Sequence, residues 1–490
     1  MNRGPRLNNI SRNFTTRDSL GIEGVATSIS AEICPIVNTV TPRPFYWALI
    51  NWCFYDFYKN CNPEDRNINN VYKYVKRQNY FIALGALLTG KDEVGGFTGS
   101  DTLKQSSYIN LEDDIFKYNE KYLKNLLSNM GYYPAGLFTM GFLVDENPET
   151  LEKFKYPKLT PEGERLGKAF DSILSKTEYY KKYRLTGLEV PRNVLIELGQ
   201  IANLNLDGFD EVESILREHL FNRESTKKLI ESHNYIKHLF YNEKIMDLNT
   251  TKCREIFFDY YSPRGEYRKD VPNELKTIFN EWEIIIGRQY FTTGLEMIWK
   301  FMLEQLSTPK SYKKWIVDCL NESDFKINID SNLSTIIDEC NYTFKQREDM
   351  IYLARSKNDN HVKNIENGLK ILLSVYNRFV NRDDISSEDK VFFDYGIERE
   401  SISLNQFFKL VEEYKDKPIK SILEYIMYNY LFNQHMNTAF GKMMQGRDGY
   451  YVEKIEDEYV RKEFFDLDFQ GIRAIQLMSV MKDLNILEVA

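Results

Sequence analysis

The chain has few of the residues on which metal or disulfide chemistry depends. Its 490 residues include six scattered cysteines without a CxxC pair, and the five histidines form no HExxH motif and no Cys/His cluster. This pattern argues against a disulfide framework, a zinc site and metal-dependent catalysis, and it indicates reduced thiols. No GxSxG motif is found, and no cysteine has the local setting of an activated nucleophile. We therefore predict neither a metal nor a cofactor.

Long apolar runs are missing as well. No stretch approaches the ~20 apolar residues that a membrane-spanning helix needs, and the opening MNRGPRLNNISRNF lacks the apolar core of a signal peptide. We therefore expect a cytoplasmic protein without membrane contact. The segment GKDEVGGFTGSD is rich in glycine, but no GK[ST] follows, so it is a loop and not a Walker phosphate site.

Charge and length set the next limits. The net charge of −8 argues against a protein whose whole surface binds nucleic acid, although a local basic face is compatible with it. A chain of 490 residues exceeds what one hydrophobic core usually serves, so several domains are expected. Apolar residues make up 42% and charged residues 28%, which is typical of an ordered soluble protein.

Apolar residues at spacings of three and four predict a mainly α, multi-domain helical protein with one or two winged-helix-like α+β modules. We divide it into an N-terminal arm with buried aromatic helices (residues 1–60), a winged-helix-like module (61–180), an irregular helical domain (181–380) and an acidic helix–hairpin–helix module (381–490). The run from Phe45 to Tyr58 is apolar on nearly every side, which predicts a helix buried on most faces. Arg43 precedes it, where it could pair with a carboxylate or contact a phosphate.

The order of elements in residues 111–180 suggests a winged helix. We predict a helix over DDIFKYNEKYLKNLLSNM, a short helix in YYPAGLFT, strands at 142–144 and 156–159, and a closing helix in LTPEGERLGKAF. Thr160 is a suitable N-cap for the last helix and Pro161 suits its first position. Leu166, Ala169 and Phe170 then share one apolar face of that helix.

Basic residues in and after this hairpin could neutralise phosphates along a DNA duplex. With Arg43, the candidate nucleic-acid-binding residues are Lys153, Lys155, Lys158, Arg165 and Lys168. Glutamates at positions 149, 152, 162 and 164 lie among them, so a winged helix that contacts protein is at least as well supported.

The last part of the chain repeats the order helix, hairpin, helix. SILEYIMYNYLFNQHMNTAFGKM predicts a long helix, GRDGYYVEKIEDEYV a hairpin, and QGIRAIQLMSVMKDLNIL a final helix. Acidic residues outnumber basic ones there, so we do not expect this second module to hold DNA.

An enzymatic alternative comes from ARSKNDNH, which places Arg355 six residues before His361. This spacing resembles the RxxxxxH motif of HEPN ribonucleases, in which the Arg and His polarise a phosphate and move a proton at the scissile 2′-hydroxyl. The resemblance implies a metal-independent ribonuclease with Arg355 and His361 as catalytic residues. If the spacing is a coincidence, we expect Arg355 to be a solvated loop residue and His361 to lie at the start of a helix.

Three blocks of the sequence resemble poorly characterised bacterial proteins encoded in phage-defence loci. They are LGIEGVATSISAEICPIVNTVTPRPFYWALINW, then YYPAGLFTMGFLVDE with LTPEGERLGKAF, and finally QHMNTAFGKM, YYVEKIEDEY and IRAIQLMSVMKDLNIL. The resemblance implies a defence context and a multi-component assembly, and no defined catalytic residue.

These observations lead to one main hypothesis and two alternatives. The main hypothesis is a non-enzymatic scaffold or sensor subunit of an antiphage system, whose winged-helix module docks double-stranded DNA or a partner protein. An ATPase or a nuclease would be the other subunit and would carry the chemistry. The alternatives are the ribonuclease and a transcriptional regulator.

Overall fold

The structure is a computed structural model, and it is mainly helical, as the sequence predicts. It describes residues 18–37, 43–62, 65–91, 103–104, 109–119, 132–145, 157–201, 204, 206–260, 271–323, 325–355, 363–380, 382, 385–396, 401–467 and 471–487. The N-terminal arm to residue 17 and the glycine-rich loop from residue 92 to 102 lie outside these ranges.

The first half of the chain combines helices with four short strands. Its elements are α1 (Glu23–Ile33), α2 (Pro44–Asn60), α3 (Ile68–Leu88), β1 (Ile115–Lys117), α4 (Tyr132–Thr139), β2 (Leu143–Asp145), β3 (Pro157–Leu159), α5 (Pro161–Leu174), α6 (Glu178–Lys182), β4 (Glu189–Pro191), α7 (Arg192–Ile201), α8 (Asp210–Phe221), a 3-10 turn (Glu224–Thr226) and α9 (Lys227–Tyr241).

The described residues of the second half form mainly helices, with one hairpin. Its elements are α10 (Thr250–Arg254), a π-helical turn (Glu255–Tyr260), a 3-10 turn (Asn273–Leu275), α11 (Lys276–Glu304), α12 (Tyr312–Glu322), α13 (Ser334–Ile337), α14 (Phe344–Arg355), α15 (Asn364–Phe379), α16 (Ser387–Lys390), a 3-10 turn (Val391–Asp394), α17 (Leu404–Tyr414), α18 (Ile419–Tyr425), a π-helical segment (Ile426–Asn433), α19 (Gln434–Met444), β5 (Val452–Ile455), β6 (Glu458–Arg461) and α20 (Arg473–Asp483).

These elements form two compact units. Unit 1 comprises residues 1–30 and 249–471, and unit 2 comprises residues 31–248 and 472–490, so the division falls within α1. The four consecutive domains expected from the sequence stay a prediction. The helix α20 belongs to unit 2, where it packs on α9, whereas the β5–β6 hairpin belongs to unit 1. Arg473, at the start of α20, also donates hydrogen bonds to the carbonyls of Cys34 and Val37.

Both expected hairpins are present. β2 pairs antiparallel with β3, with Leu143 opposite Leu159, and β5 pairs antiparallel with β6, with Ile455 opposite Glu458. Within the described ranges each forms a two-stranded sheet, and the connection between β2 and β3 lies outside those ranges. The hairpin predictions are therefore confirmed, whereas the finer assignment to a winged helix stays a prediction.

The helix expected at residues 113–130 is wrong at its beginning. Ile115–Lys117 form β1, which pairs antiparallel with β4 so that Phe116 lies opposite Val190. Both of these side chains are buried. Pairing with a strand more than 70 residues away therefore overrides the local helical periodicity. Residues 120–131 lie outside the described ranges.

The core of unit 2 is built around α2, as its apolar sequence predicts. Every residue from Pro44 to Phe54 is buried, and α2 packs against α3, α4 and α5. Beside it, α3 and α7 approach each other backbone to backbone at Gly85 and Gly199. A Cβ atom on Gly85 would lie 2.6 Å from the carbonyl oxygen of Leu195, so glycine is required for this contact.

The core of unit 1 is built around α11, in which every residue from Ile278 to Leu303 is buried. It packs along α15, and one of its interior charges is matched by residues at and just beyond the end of that helix: the buried Glu283 carboxylate binds both Arg378 and Arg382. Within the described ranges, no helix combines the length and the apolar composition needed to cross a bilayer.

Candidate docking surface

The local sequence accounts for the start of α5. The Thr160 hydroxyl accepts a hydrogen bond from the Gly163 amide at 3.0 Å and donates one to the Gly141 carbonyl at 2.8 Å. Pro161 occupies the first helical position, as predicted. Leu166, Ala169 and Phe170 are buried on one face. The cap therefore fixes the helix start to the base of the β2–β3 hairpin and leaves the polar face of α5 outward.

The outward face of α5 meets α8 through an ion network. Nη1 of Arg165 lies 3.2 Å from a carboxylate oxygen of Glu162 and 3.2 Å from one of Glu218. The hydrogen bond from Arg165 lowers the pKa of Glu162, and the same bond raises the pKa of Arg165. His219 is buried, and its Nδ1 donates to the Met140 carbonyl at 2.9 Å while Nε2 lies 3.4 Å from Glu162.

A cavity of about 600 Å³ opens beside this network. Its lining residues are Asp210, Glu213, Ser214, Arg217, Glu218, Phe221, Asn222, His233 and Ile486. Arg217 is paired with Glu213 and donates a hydrogen bond to the Leu484 carbonyl. Burial lowers the pKa of His233 to about 4, so its imidazole is neutral at neutral pH. The cavity therefore carries three carboxylates against one guanidinium.

The structure places the candidate nucleic-acid-binding residues at different sites. Arg165 and Lys168 lie on α5, where Lys168 is 3.8 Å from Glu164. Lys158 is exposed on β3. Lys153 and Lys155 lie outside the described residues.

Arg43 forms a structural ion pair. Its Nε lies 2.8 Å from Asp483, which ties the start of α2 to the end of α20. Burial raises the pKa of Asp483 to about 7, against the opposing effect of Arg43. Of the two roles expected for Arg43, the structure contains the carboxylate pair.

The residues of the ribonuclease alternative are only half described. Arg355 is exposed and ends α14, whereas His361 lies outside the described residues. The motif therefore stays a prediction. Among the described residues, no group of three or more His, Cys, Asp or Glu side chains could hold a metal ion.

Burial makes Cys34 and Cys340 poor nucleophiles. All six are free thiols, and five of them are buried. Burial raises the pKa of Cys34 to about 12 and that of Cys340 to about 11, so neither is a thiolate at neutral pH.

Sequence reasoning did not identify the three carboxylates of α8 that line the cavity. Asp210, Glu213 and Glu218 lie on the outward face of an ordinary amphipathic helix, DEVESILREHLF, and periodicity indicates only that this face is polar. No local signal shows that Glu218 reaches Arg165, which is 53 residues earlier in the chain.

Comparisons of the chain with protein-family models, with curated proteins and with solved structures found no match.

Proposed function

We propose that the chain is a non-enzymatic scaffold subunit of a multi-component bacterial antiphage assembly, and that it docks a partner protein through the α5–α8 face. This face is formed by Glu162, Arg165 and Lys168 of α5 and by Asp210, Glu213, Arg217 and Glu218 of α8. We choose a protein over DNA as the partner because Arg165 lies 3.2 Å from each of two carboxylates.

Electrostatics favours protein over DNA at this face. Binding a duplex requires cations that are available to neutralise phosphates and to release counterions. Here Arg165, Lys168 and Arg217 each have a carboxylate within hydrogen-bond or ion-pair distance. A phosphate at Arg165 would also lie beside Glu162 and Glu218, and like charges brought together cost binding energy.

A partner protein can exploit the same network. Exposed ion pairs contribute only about 0–1 kcal/mol each, so they can be exchanged for pairs with a partner at little loss. The adjoining cavity has more carboxylates than cations, which suits an Arg or Lys side chain from the partner. The defence context rests on the three resembling blocks at the two ends of the chain.

The experiment is co-purification with the products of the neighbouring genes, followed by calorimetry with each protein that binds. We expect Arg165→Glu to weaken binding at least tenfold, because the variant places three carboxylates together at the face. Lys182→Glu is the matched control, since Lys182 forms an exposed pair with Glu178 on α6 of the same unit. Equal binding by wild type and Arg165→Glu would refute docking at this face.

A DNA assay separates the two kinds of partner. The assay is fluorescence anisotropy with a labelled duplex at low salt. We expect that Arg165→Glu and Lys168→Glu will not abolish any duplex binding that wild type shows. Salt-dependent duplex binding that both variants weaken would instead assign the face to DNA. RNA cleavage by the purified chain that is lost in His361→Ala would favour the ribonuclease over the scaffold.

A further inference from the structure

Arg288, in the middle of α11, is an interior cation without a hydrogen-bond acceptor among the described residues. The residue is 1% exposed, and in the described part of the chain none of its three guanidinium nitrogens has a hydrogen-bond partner. Other interior arginines of unit 1 are matched: Arg254 binds Glu348 and Arg347 binds Asp259. An interior charge without a partner is strongly unfavourable. The difference therefore requires an explanation specific to Arg288.

The acidic residue that acts electrostatically on Arg288 does not supply that acceptor. Asp18 is the acidic residue whose field acts on Arg288. Its carboxylate oxygens, however, accept hydrogen bonds from the amides of Glu23 at 3.2 Å and Gly24 at 3.3 Å. Asp18 thus caps the first turn of α1. It lowers the electrostatic cost of the guanidinium without forming a direct ion pair.

Two buried hydroxyl groups, one on the same face of α11 and one next to Asp18 in the chain, are also without partners among the described residues. Thr292 lies one helical turn further along α11, so its side chain is on the same face, and its buried hydroxyl also lacks a partner among the described residues. Ser19, next to Asp18 in the chain, is 1% exposed, and its hydroxyl also has no hydrogen-bond partner among the described residues. On another side, the guanidinium lies over the Phe291 ring, 5.0 Å from its centroid.

We propose that Arg288, with Thr292 and Ser19, forms an interior binding site for an oxyanion, with a phosphate group as the ligand chemistry. A guanidinium presents planar, paired N–H donors that match two oxygens of one phosphate, and a hydroxyl donates to a third. A neutral ligand would leave the charge of Arg288 uncompensated. The phosphate belongs either to the inorganic ion or to a nucleotide.

The chain at Asp18 and Ser19 is tied to α19, and the Asp18 carboxylate acts electrostatically on Arg288. Lys442 donates to the Asp18 carbonyl at 2.7 Å, and His435 donates to the Ser19 carbonyl at 3.0 Å, so α19 holds the segment in place. Because Arg288 is 1% exposed, a ligand reaches it only after a local opening of unit 1, which we assign to this segment. Binding is therefore expected to be slow, and Lys442→Met is expected to increase the association rate.

The test is calorimetry and thermal unfolding of the full chain with inorganic phosphate and with a nucleoside monophosphate, at matched ionic strength. We expect saturable binding and a rise in Tm for at least one of the two. Tighter binding of the nucleotide assigns the nucleotide source, and equal or tighter binding of phosphate assigns the free ion. Absence of saturable binding by both would overturn the proposal.

Variants locate the site. Arg288→Met should lower the affinity at least tenfold and should leave the Tm of the ligand-free protein unchanged or raised, because an uncompensated interior charge is removed. Thr292→Val should weaken binding several-fold, which keeps the test decisive if Arg288→Met does not fold. Arg447→Met, at an exposed position of the same unit, is the control. Binding that is equal in wild type and the Arg288 and Thr292 variants would refute the site, whatever happens at the α5–α8 face.

Discussion

Acidification should destabilise unit 1 through His435, a fully buried side chain at the second position of α19. Its Nδ1 donates to the Ser19 carbonyl at 3.0 Å, and its Nε2 accepts from the Tyr451 amide at 3.1 Å. These two partners require the neutral ring with the proton on Nδ1. Protonation of Nε2 would set two N–H groups against each other and would bury a charge.

The magnitude follows from the pKa of this side chain. Burial lowers the pKa of His435 from its ordinary value of 6.5 to about 4. Between these values the unfolded chain binds a proton that the folded unit does not, so stability is lost as the pH falls. Each unit of difference in pKa corresponds to about 1.4 kcal/mol. The free energy of unfolding of unit 1 should therefore fall by about 3 kcal/mol from neutral pH to pH 4.

The assay compares wild type with His435→Asn, which keeps a donor near the Nδ1 position and does not titrate. Hydrogen–deuterium exchange in urea, resolved by mass spectrometry, gives the stability of unit 1 peptides separately from those of unit 2. At neutral pH the variant should be less stable by about 1–3 kcal/mol, since the Tyr451 amide loses its acceptor. That difference should shrink as the pH falls, because only wild type titrates at this position.

His233 provides the control, because its pKa is also lowered to about 4 by burial but it lies in unit 2. His233→Asn should change the pH dependence of unit 2 peptides and leave unit 1 unaffected. A difference between wild type and His435→Asn that stays constant from neutral to acidic pH would refute the assignment of the titration to His435.

Two further predictions concern unit 2. Gly85→Ala should lower its free energy of unfolding by about 2 kcal/mol or more in urea titration, because the added Cβ would lie 2.6 Å from a carbonyl oxygen of α7. Gly441→Ala, in an open helical position, should be neutral or stabilising, and a harmless Gly85→Ala would contradict the contact. Burial raises the pKa of Asp483 from 3.8 to about 7, so the folded state holds a proton that the unfolded chain releases, and stability falls as the pH rises through this window. Asp483→Asn should remove that slope in urea titrations over the same pH window, and a variant that keeps the slope would show that another group titrates.

The parts of the fold that the sequence predicts are those decided by neighbouring residues. The cap of Thr160 on α5, the apolar length of α2 and the two hairpins all depend on contacts within a few tens of residues, and all are present. β1 shows the limit of this reasoning. Its residues are compatible with a helical period, and only the distant strand β4 selects the extended backbone. The grouping of α20 with unit 2 has the same origin in a distant contact, the packing on α9.

The candidate sites were harder to predict than the fold, because the role of a charged side chain depends on a partner that is distant in the sequence. Arg43, Arg165 and Arg288 are equivalent when read locally, as cations beside or within a helix. In the structure the first is paired with a buried carboxylate, the second is shared between two exposed ones, and the third has no hydrogen-bond acceptor among the described residues. These three settings have different consequences: a contact that holds two helices together, a surface that we propose as a docking face, and a cation that we propose as an oxyanion site. A count of basic residues would treat all three as candidates for DNA binding, whereas their partners leave only Arg165 on a surface that can bind a macromolecule.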